Sequence, residues 1–231
     1  MSANAPRKRG RPPLLTHARI LEASLELLRE DPLQDFTMQR ISQRLKVAPM
    51  TIYGYFESRE DLLEQMTAAM FEELDLTDVH EAEGWDEAIH AWCYAVRDHL
   101  LALPQMMQLL VEPSRISSAW LEISEPLAEA LLEADLSPSQ VAFYTRWIGR
   151  AMIGALVVES TCDRAMFTLL AETPDAVIAR LPGGTADRML SLQPFIQEQT
   201  DDQHFEVLVK SVLAEIDHAR TSANANSVAA Q

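Results

Sequence analysis

Apolar residues recur along most of this chain at intervals of three and four, the spacing that gathers side chains on one face of an α-helix. Ile20, Leu21, Ala23, Ser24, Leu27 and Leu28 form the first such series. Thr16 is placed to cap it, and Asp31-Pro32 to end it. Thr37 caps a second series with Ile41 and Leu45 inward. Pro49 opens a third, because its missing N–H would have no partner in a first turn. Ser58 followed by Asp61 resembles a capping box with Asp in place of Glu or Gln, and the series behind it runs through Leu62, Leu63, Met66 and Met70. The spacing therefore predicts four helices within residues 16–76.

After a short acidic connection, Glu81 to Gly84, helical series follow from Trp85 to Leu103, Pro104 to Val111, Ser117 to Leu132, Ser137 to about Cys162, and about Asp202 to Ala219. The stretch from Thr173 to Thr200 contains Pro174, Pro182, Gly183, Gly184 and Pro194, and reads as mostly loop with room for one short helix. The small polar residues from Thr221 to Gln231 read as a disordered tail. Alternating β-branched runs are few and glycines number only seven, so the expected class is all-α. The expected division is a basic arm over 1–15, a first domain over 16–76, a larger helical domain over 77–220 and a tail over 221–231.

Composition narrows the chemistry. The longest uninterrupted apolar stretch, Ala151 to Val158, is far below the roughly 18 residues of a membrane span, and the basic start runs into Pro12-Pro13 instead of a signal-peptide core. A cytoplasmic protein without a membrane partner is expected. Cys93 and Cys162 are too few for a disulfide framework or a four-thiolate zinc site. The six histidines show no i, i+4 pair and no H-E-x-x-H, so neither a metal nor another cofactor is expected. The net charge of -16 is unevenly spread: residues 1–60 hold ten basic and seven acidic side chains, a net of +3, and the remainder carries -19. Such a chain is repelled by a polyanion everywhere except at its front.

Residues 37–56 read TMQRISQRLKVAPMTIYGYF. Ile41, Leu45, Val47, Ile52 and Phe56 supply the inward positions of a helix-turn-helix, leaving Gln39, Arg40, Pro49, Met50, Thr51, Tyr53 and Gly54 to face outward. Residues 41–63, I-S-Q-R-L-K-V-A-P-M-T-I-Y-G-Y-F-E-S-R-E-D-L-L, resemble the tetracycline-repressor (TetR) family of bacterial transcription regulators. They depart from the family pattern at Lys46, where a turn glycine is usual, at Ala48 for a capping Ser, and at Tyr55 for His. A left-handed Lys46 would cost roughly 1 kcal/mol, and a missing cap about the same.

The resemblance implies an N-terminal helix-turn-helix DNA-binding domain followed by a larger helical ligand-binding and dimerisation domain. Chemistry and matching positions together assign phosphate contacts to Thr37, Tyr53, Tyr55, Arg59 and Arg40. Gln39, Pro49, Met50 and Thr51 would face base edges, Gln suiting adenine and methyl-bearing side chains thymine. Gly54 completes the expected DNA-binding set. Ahead of the first helix, Arg7, Lys8, Arg9 and Arg11 frame an R-G-R-P core similar to AT-hook peptides. Three roles stay open for it: minor-groove reading, a mobile clamp on phosphates, and a solvated tail.

The series Val141, Tyr144, Ile148, Ala151, Ala155 and Val158 lies on a helix whose other faces are apolar too, through Trp147, Met152, Ile153, Leu156 and Val157. A helix apolar around most of its circumference must be buried on several sides. One head covers one half-site, so a homodimer packed through Val141, Ile148, Ala151 and Ala155 is expected. Phe205, Leu208, Val209, Val212 and Ile216 of the last helix would join them. That last helix resembles the dimerising helix of TetR-type regulators, more weakly than the head does.

Trp92, Val96, His99 and Leu103 share a stripe with Trp85 and Ile89. With Met106, Met107, Trp120, Tyr144 and Trp147 they would line a pocket for an apolar effector, although a filled core predicts the same composition. The expected function is a ligand-responsive regulator that binds double-stranded DNA and is a repressor released by a small molecule, with activation left open. Two other classes remain: an effector-independent architectural DNA-binding protein, and a helical enzyme. The chain has no nucleophile elbow, phosphate loop or metal-ligand spacing to support an enzyme.

Overall fold

A computed structural model describes residues 15–30, 33–104, 107–110, 118–161 and 180–229. Among them the regular elements are helical and none is a strand. The front holds α1 (His17–Glu30), α2 (Met38–Leu45), α3 (Pro49–Ile52) and α4 (Arg59–Phe71). Behind them come α5 (Thr77–His80), α6 (Trp85–Leu101), α7 (Met107–Leu110), α8 (Ser118–Glu133), α9 (Pro138–Thr161), α10 (Gly183–Gln197) and α11 (Asp201–Ala229). The chain divides into two compact units, Met1–Met66 and Thr67–Gln231, and the division falls inside α4.

In the first unit, Ile20, Leu28, Phe36, Ile41, Ile52, Phe56, Leu62 and Met66 are buried. Side chains cap the helices that enclose them. Thr16 Oγ1 accepts from the Arg19 N–H at 3.2 Å, and Ser58 Oγ from the Asp61 N–H at 3.1 Å. Asp61 reaches back to the Glu57 N–H at 2.9 Å, one residue beyond the usual capping-box target.

In the second unit α6 is central, packing against α5, α8, α9 and α11. Its Ile89, Trp92, Cys93, Val96 and Leu100 are fully buried. Pro126 stands inside α8 and has no N–H for the carbonyl four residues back. The next carbonyl along, that of Ile123, accepts the Trp92 indole N–H at 2.6 Å. Burial also pushes the Cys93 thiol up to about 12, so it stays protonated as a small apolar side chain.

Arg97 lies on the buried face of α6, only 6% exposed. Its guanidinium donates to Glu159 on α9 at 2.6 and 3.2 Å and to Asp202 on α11 at 2.7 Å, and it stacks 4.6 Å over the Phe205 ring. One side chain therefore ties three helices together.

Three elements differ from the sequence expectation. The helix α10 occupies much of the stretch read as loop, because Pro182 sits at its cap position, where its carbonyl accepts from Thr185 and Ala186, and the glycines fall in the first turn. The helix α11 continues to Ala229 through the segment read as a disordered tail. No Gly or Pro interrupts that segment, and its alanines favour helix. The short α5 was not expected; Asp75 starts it by accepting from both the N–H and the hydroxyl of Thr77, at 2.9 and 2.6 Å. Within α9, residues Pro138–Ser160 are long and apolar enough, by length and composition alone, to cross a membrane. Its contacts with α6, α7, α8 and α11 give it the place of a core helix.

Candidate nucleic-acid interface

A helix-turn-helix depends on how its turn is closed. Thr37 Oγ1 caps α2 by accepting from the Arg40 N–H at 3.3 Å. Lys46 ends α2 at φ 58°, ψ 42°, in the left-handed region, and its N–H is bonded to the end of the helix. The residue that replaces the usual glycine thus adopts the conformation glycine would have taken. Ala48 precedes α3 without a side-chain cap bond, and Pro49 occupies the first turn. The departures at Lys46 and Ala48 are therefore present as local strain and a missing bond, and the motif forms regardless.

Packing separates the two faces of the motif. Ile41, Ile52 and Phe56 are fully buried, and Leu45 and Val47 half-buried. Thr37, Gln39, Pro49, Met50, Thr51, Tyr53, Gly54 and Tyr55 are exposed, Met50 to 78%.

Three proposed phosphate contacts are engaged by the chain itself. Tyr55 Oη donates to the Leu15 carbonyl at 2.8 Å. Arg59 is half-buried and donates to the carbonyls of Phe36 at 3.2 Å and Leu33 at 3.5 Å. Arg40, also half-buried, reaches the Asp35 carbonyl at 3.5 Å. In a loop-rich turn the nearest unsatisfied carbonyls compete for these donors, which a linear motif does not reveal. Arg7, Lys8, Arg9 and Arg11 lie outside the described residues.

On α2, Arg44 forms a two-pronged pair with Glu30 at 2.6 and 2.8 Å and reaches Glu26 at 3.1 Å. The guanidinium holds the Glu30 carboxyl below the usual carboxylate range, and the carboxylates raise the Arg44 pKa in turn.

In the second unit, the proposed effector-pocket residues separate into two groups. Trp92, Val96 and Met107 are buried core, and Leu103 is half-buried. His99 shares a 2.7 Å hydrogen bond with the Met70 carbonyl and stacks on Phe71, whose ring centroid is 6.1 Å from that of Trp120. The indole of Trp120 lies in a notch on α9: a Cβ on Gly149 would approach it to 3.1 Å. Tyr144 and Trp147 belong elsewhere. Tyr144 stacks edge-on with Phe143 and Trp147 and donates to Glu215 of α11 at 3.1 Å, and its pKa is raised by burial and by that carboxylate. Met106 lies outside the described residues.

The expected dimer residues need correction in the same way. Val141 and Ile148 of α9, and Phe205, Val209, Val212 and Ile216 of α11, are buried within the single chain. Ala151, Ala155 and Leu208 are half-buried. The outward stripe of α9 is Phe143, Trp147, Ala151, Gly154 and Val158, beside Val207, Leu208 and Ser211 of α11. Phe143 and Val207 are 62% and 63% exposed. A helix apolar on every side gave no way to tell its inner from its outer stripe. Among the described residues no group of three His, Cys, Asp or Glu is arranged to hold a metal.

The class defined by this arrangement is a helix-turn-helix unit joined to a larger all-helical unit. Within this chain, residues 20–66 match the family model for bacterial regulatory proteins of the tetR family. It is 28% identical over 148 residues to an HTH-type transcriptional regulator of Saccharopolyspora erythraea, covering 64% of this chain and 62% of that relative's length. The fold is shared with apo ActR of Streptomyces coelicolor (TM-score 0.73, 19% identity, 90% of this chain and 98% of that one). ActR is also known in complex with actinorhodin (TM-score 0.70, 18% identity, 88% and 97% covered). BioQ of Mycobacterium smegmatis is similar (TM-score 0.68, 22% identity, 89% and 99% covered). So is BioQ bound to its natural double-stranded DNA operator (TM-score 0.58, 27% identity, 67% and 93% covered).

Proposed function

We infer that this chain is a cytoplasmic, DNA-binding transcriptional regulator that works as a homodimer and represses until a small-molecule effector releases it. The observation that carries the reading is the exposed row Gln39, Pro49, Met50, Thr51 and Tyr53 on a helix-turn-helix whose opposite face buries Ile41, Ile52 and Phe56 completely. A row of that kind has the donors and methyl groups that major-groove edges call for. The relative bound to its operator and the relative bound to actinorhodin support the DNA and effector parts of the reading. Effector release then requires only that the ligand bind one conformation of the dimer more tightly than the other.

The test uses a duplex recovered from a randomised library with the full-length protein. Gln39→Ala or Thr51→Ala is expected to narrow the gap between that duplex and random DNA by about tenfold. Equal weakening on both sequences would remove base reading from these residues. For the dimer, the outward stripe replaces the buried positions as its proposed contact. Phe143→Glu is expected to convert a dimer to a monomer in sedimentation at micromolar concentration, and a wild-type monomer there would overturn the assembly.

A further inference from the structure

We propose that a second copy of this chain docks antiparallel on the face shared by α9 and α11, with the two-fold axis at Ala151 and Phe143 of each copy filling a hollow at the far end of the other. The proposal rests on the homodimer reading above and names the register that reading leaves open.

The face has a bulky end and a hollow end. The two helices run antiparallel: Tyr144 bonds Glu215 at one end, and Arg97 joins Glu159 to Asp202 at the other. At the first end Phe143 stands exposed, with the half-buried Trp147 one turn on. At the second, Ala155, Val158, Phe205 and Leu208 line a surface hollow of about 140 Å³, bordered by Asp201 and His204. A cavity of about 150 Å³ accommodates benzene, so the hollow is sized for one aromatic ring. Phe143 cannot fill the hollow of its own chain, because about 20 Å of straight helix lies between them.

A two-fold axis through Ala151 pairs positions equally distant from it. Phe143 then faces the partner's hollow beside Val158 and Glu159, and Trp147 faces the partner's Ala155. Each large side chain meets a small or concave one, as ridges packing into grooves require. Nothing crowds the middle of the face: a Cβ on Gly154 would meet no atom within 4 Å.

Charge selects the direction. Arg146 and Arg150 are exposed beside the bulky end. Glu159, Asp201 and Asp202 stand at the hollow end, which stays acidic even with Arg97 counted. Antiparallel docking sets the basic end of each copy against the acidic end of the other. An axis running along the helices would set like charges together and leave both hollows empty.

The test is disulfide trapping of the full-length protein, read on a non-reducing gel, in a Cys162→Ser background that leaves only the buried Cys93. Ala151→Cys keeps both the ring and the hollow, and is expected to run mostly at twice the chain mass. Val158→Cys should stay at the single-chain mass, because its two copies would stand about 21 Å apart along the helices. Adding Phe143→Cys to Val158→Cys should restore the doubled mass. A protein that sediments as a dimer and does not cross-link at Ala151→Cys overturns the proposal. So does Val158→Cys cross-linking to itself, the mark of parallel helices. Wild type sedimenting as a monomer at micromolar concentration would instead remove the homodimer reading beneath it.

Discussion

Each unit of this protein contains an arginine that holds two carboxylates, and the two clusters differ chiefly in water. Arg44 joins α2 to Glu26 and Glu30 of α1 at the surface of the head. Arg97 joins α6 to Glu159 and Asp202 inside the second unit, with its guanidinium almost wholly covered. Exposed pairs contribute little because water and salt screen them and long side chains must be ordered. A buried arginine has lost its hydration, so its partners become obligatory. Geometry alone would rank the clusters as equals; burial decides between them.

The largest effect is expected where that difference is sharpest. Arg97→Met strands the largely covered Glu159 carboxylate and should destabilise the second unit by about 3 kcal/mol, read as a shift in the denaturation midpoint. Arg97→Met/Glu159→Leu should recover most of the loss, because an apolar pair needs no partner. A double variant as unstable as the single one would mean the arginine acts through packing on Phe205 instead.

Intermediate effects belong to the turn of the head. Ala48→Ser supplies the cap that α3 lacks, and Lys46→Gly relieves the left-handed backbone. Each is expected to stabilise the head by about 1 kcal/mol. The glycine gain is partly offset by its greater freedom in the unfolded chain. A thermal melt of each variant checks both.

The smallest effect is expected for Arg44→Met. Glu30 has a depressed carboxyl in the folded state, so the pair stabilises above the usual carboxylate range and that contribution is lost as pH falls through the depressed value. The melting difference between wild type and variant should therefore be small at neutral pH, smaller still in high salt, and absent in acid. A difference that grows on acidification would show the sign to be wrong.

The head was legible in the sequence because its information is local. Thr37, Lys46, Pro49 and Ser58 each act on neighbours within four residues, and spacing alone places them. The cluster of Tyr55 with Leu15 joins residues 40 apart in sequence, and no motif announces it. In the second unit the helices were legible and their facing was not. On α9 both stripes are apolar, and on α6 the burial of Arg97 shows only once Glu159 and Asp202 are brought to it. Trp120 and Gly149 likewise meet only once α8 and α9 are packed.

The indole bond beneath Pro126 gives the interior a chemical preference. Inside α8 the Ile123 oxygen is the acceptor for the buried Trp92 indole, one residue along from the Glu122 carbonyl that Pro126 leaves without its helical donor. Any guest that prises this ring aside must offer the indole N–H an acceptor of its own, or leave a buried donor stranded in hydrocarbon.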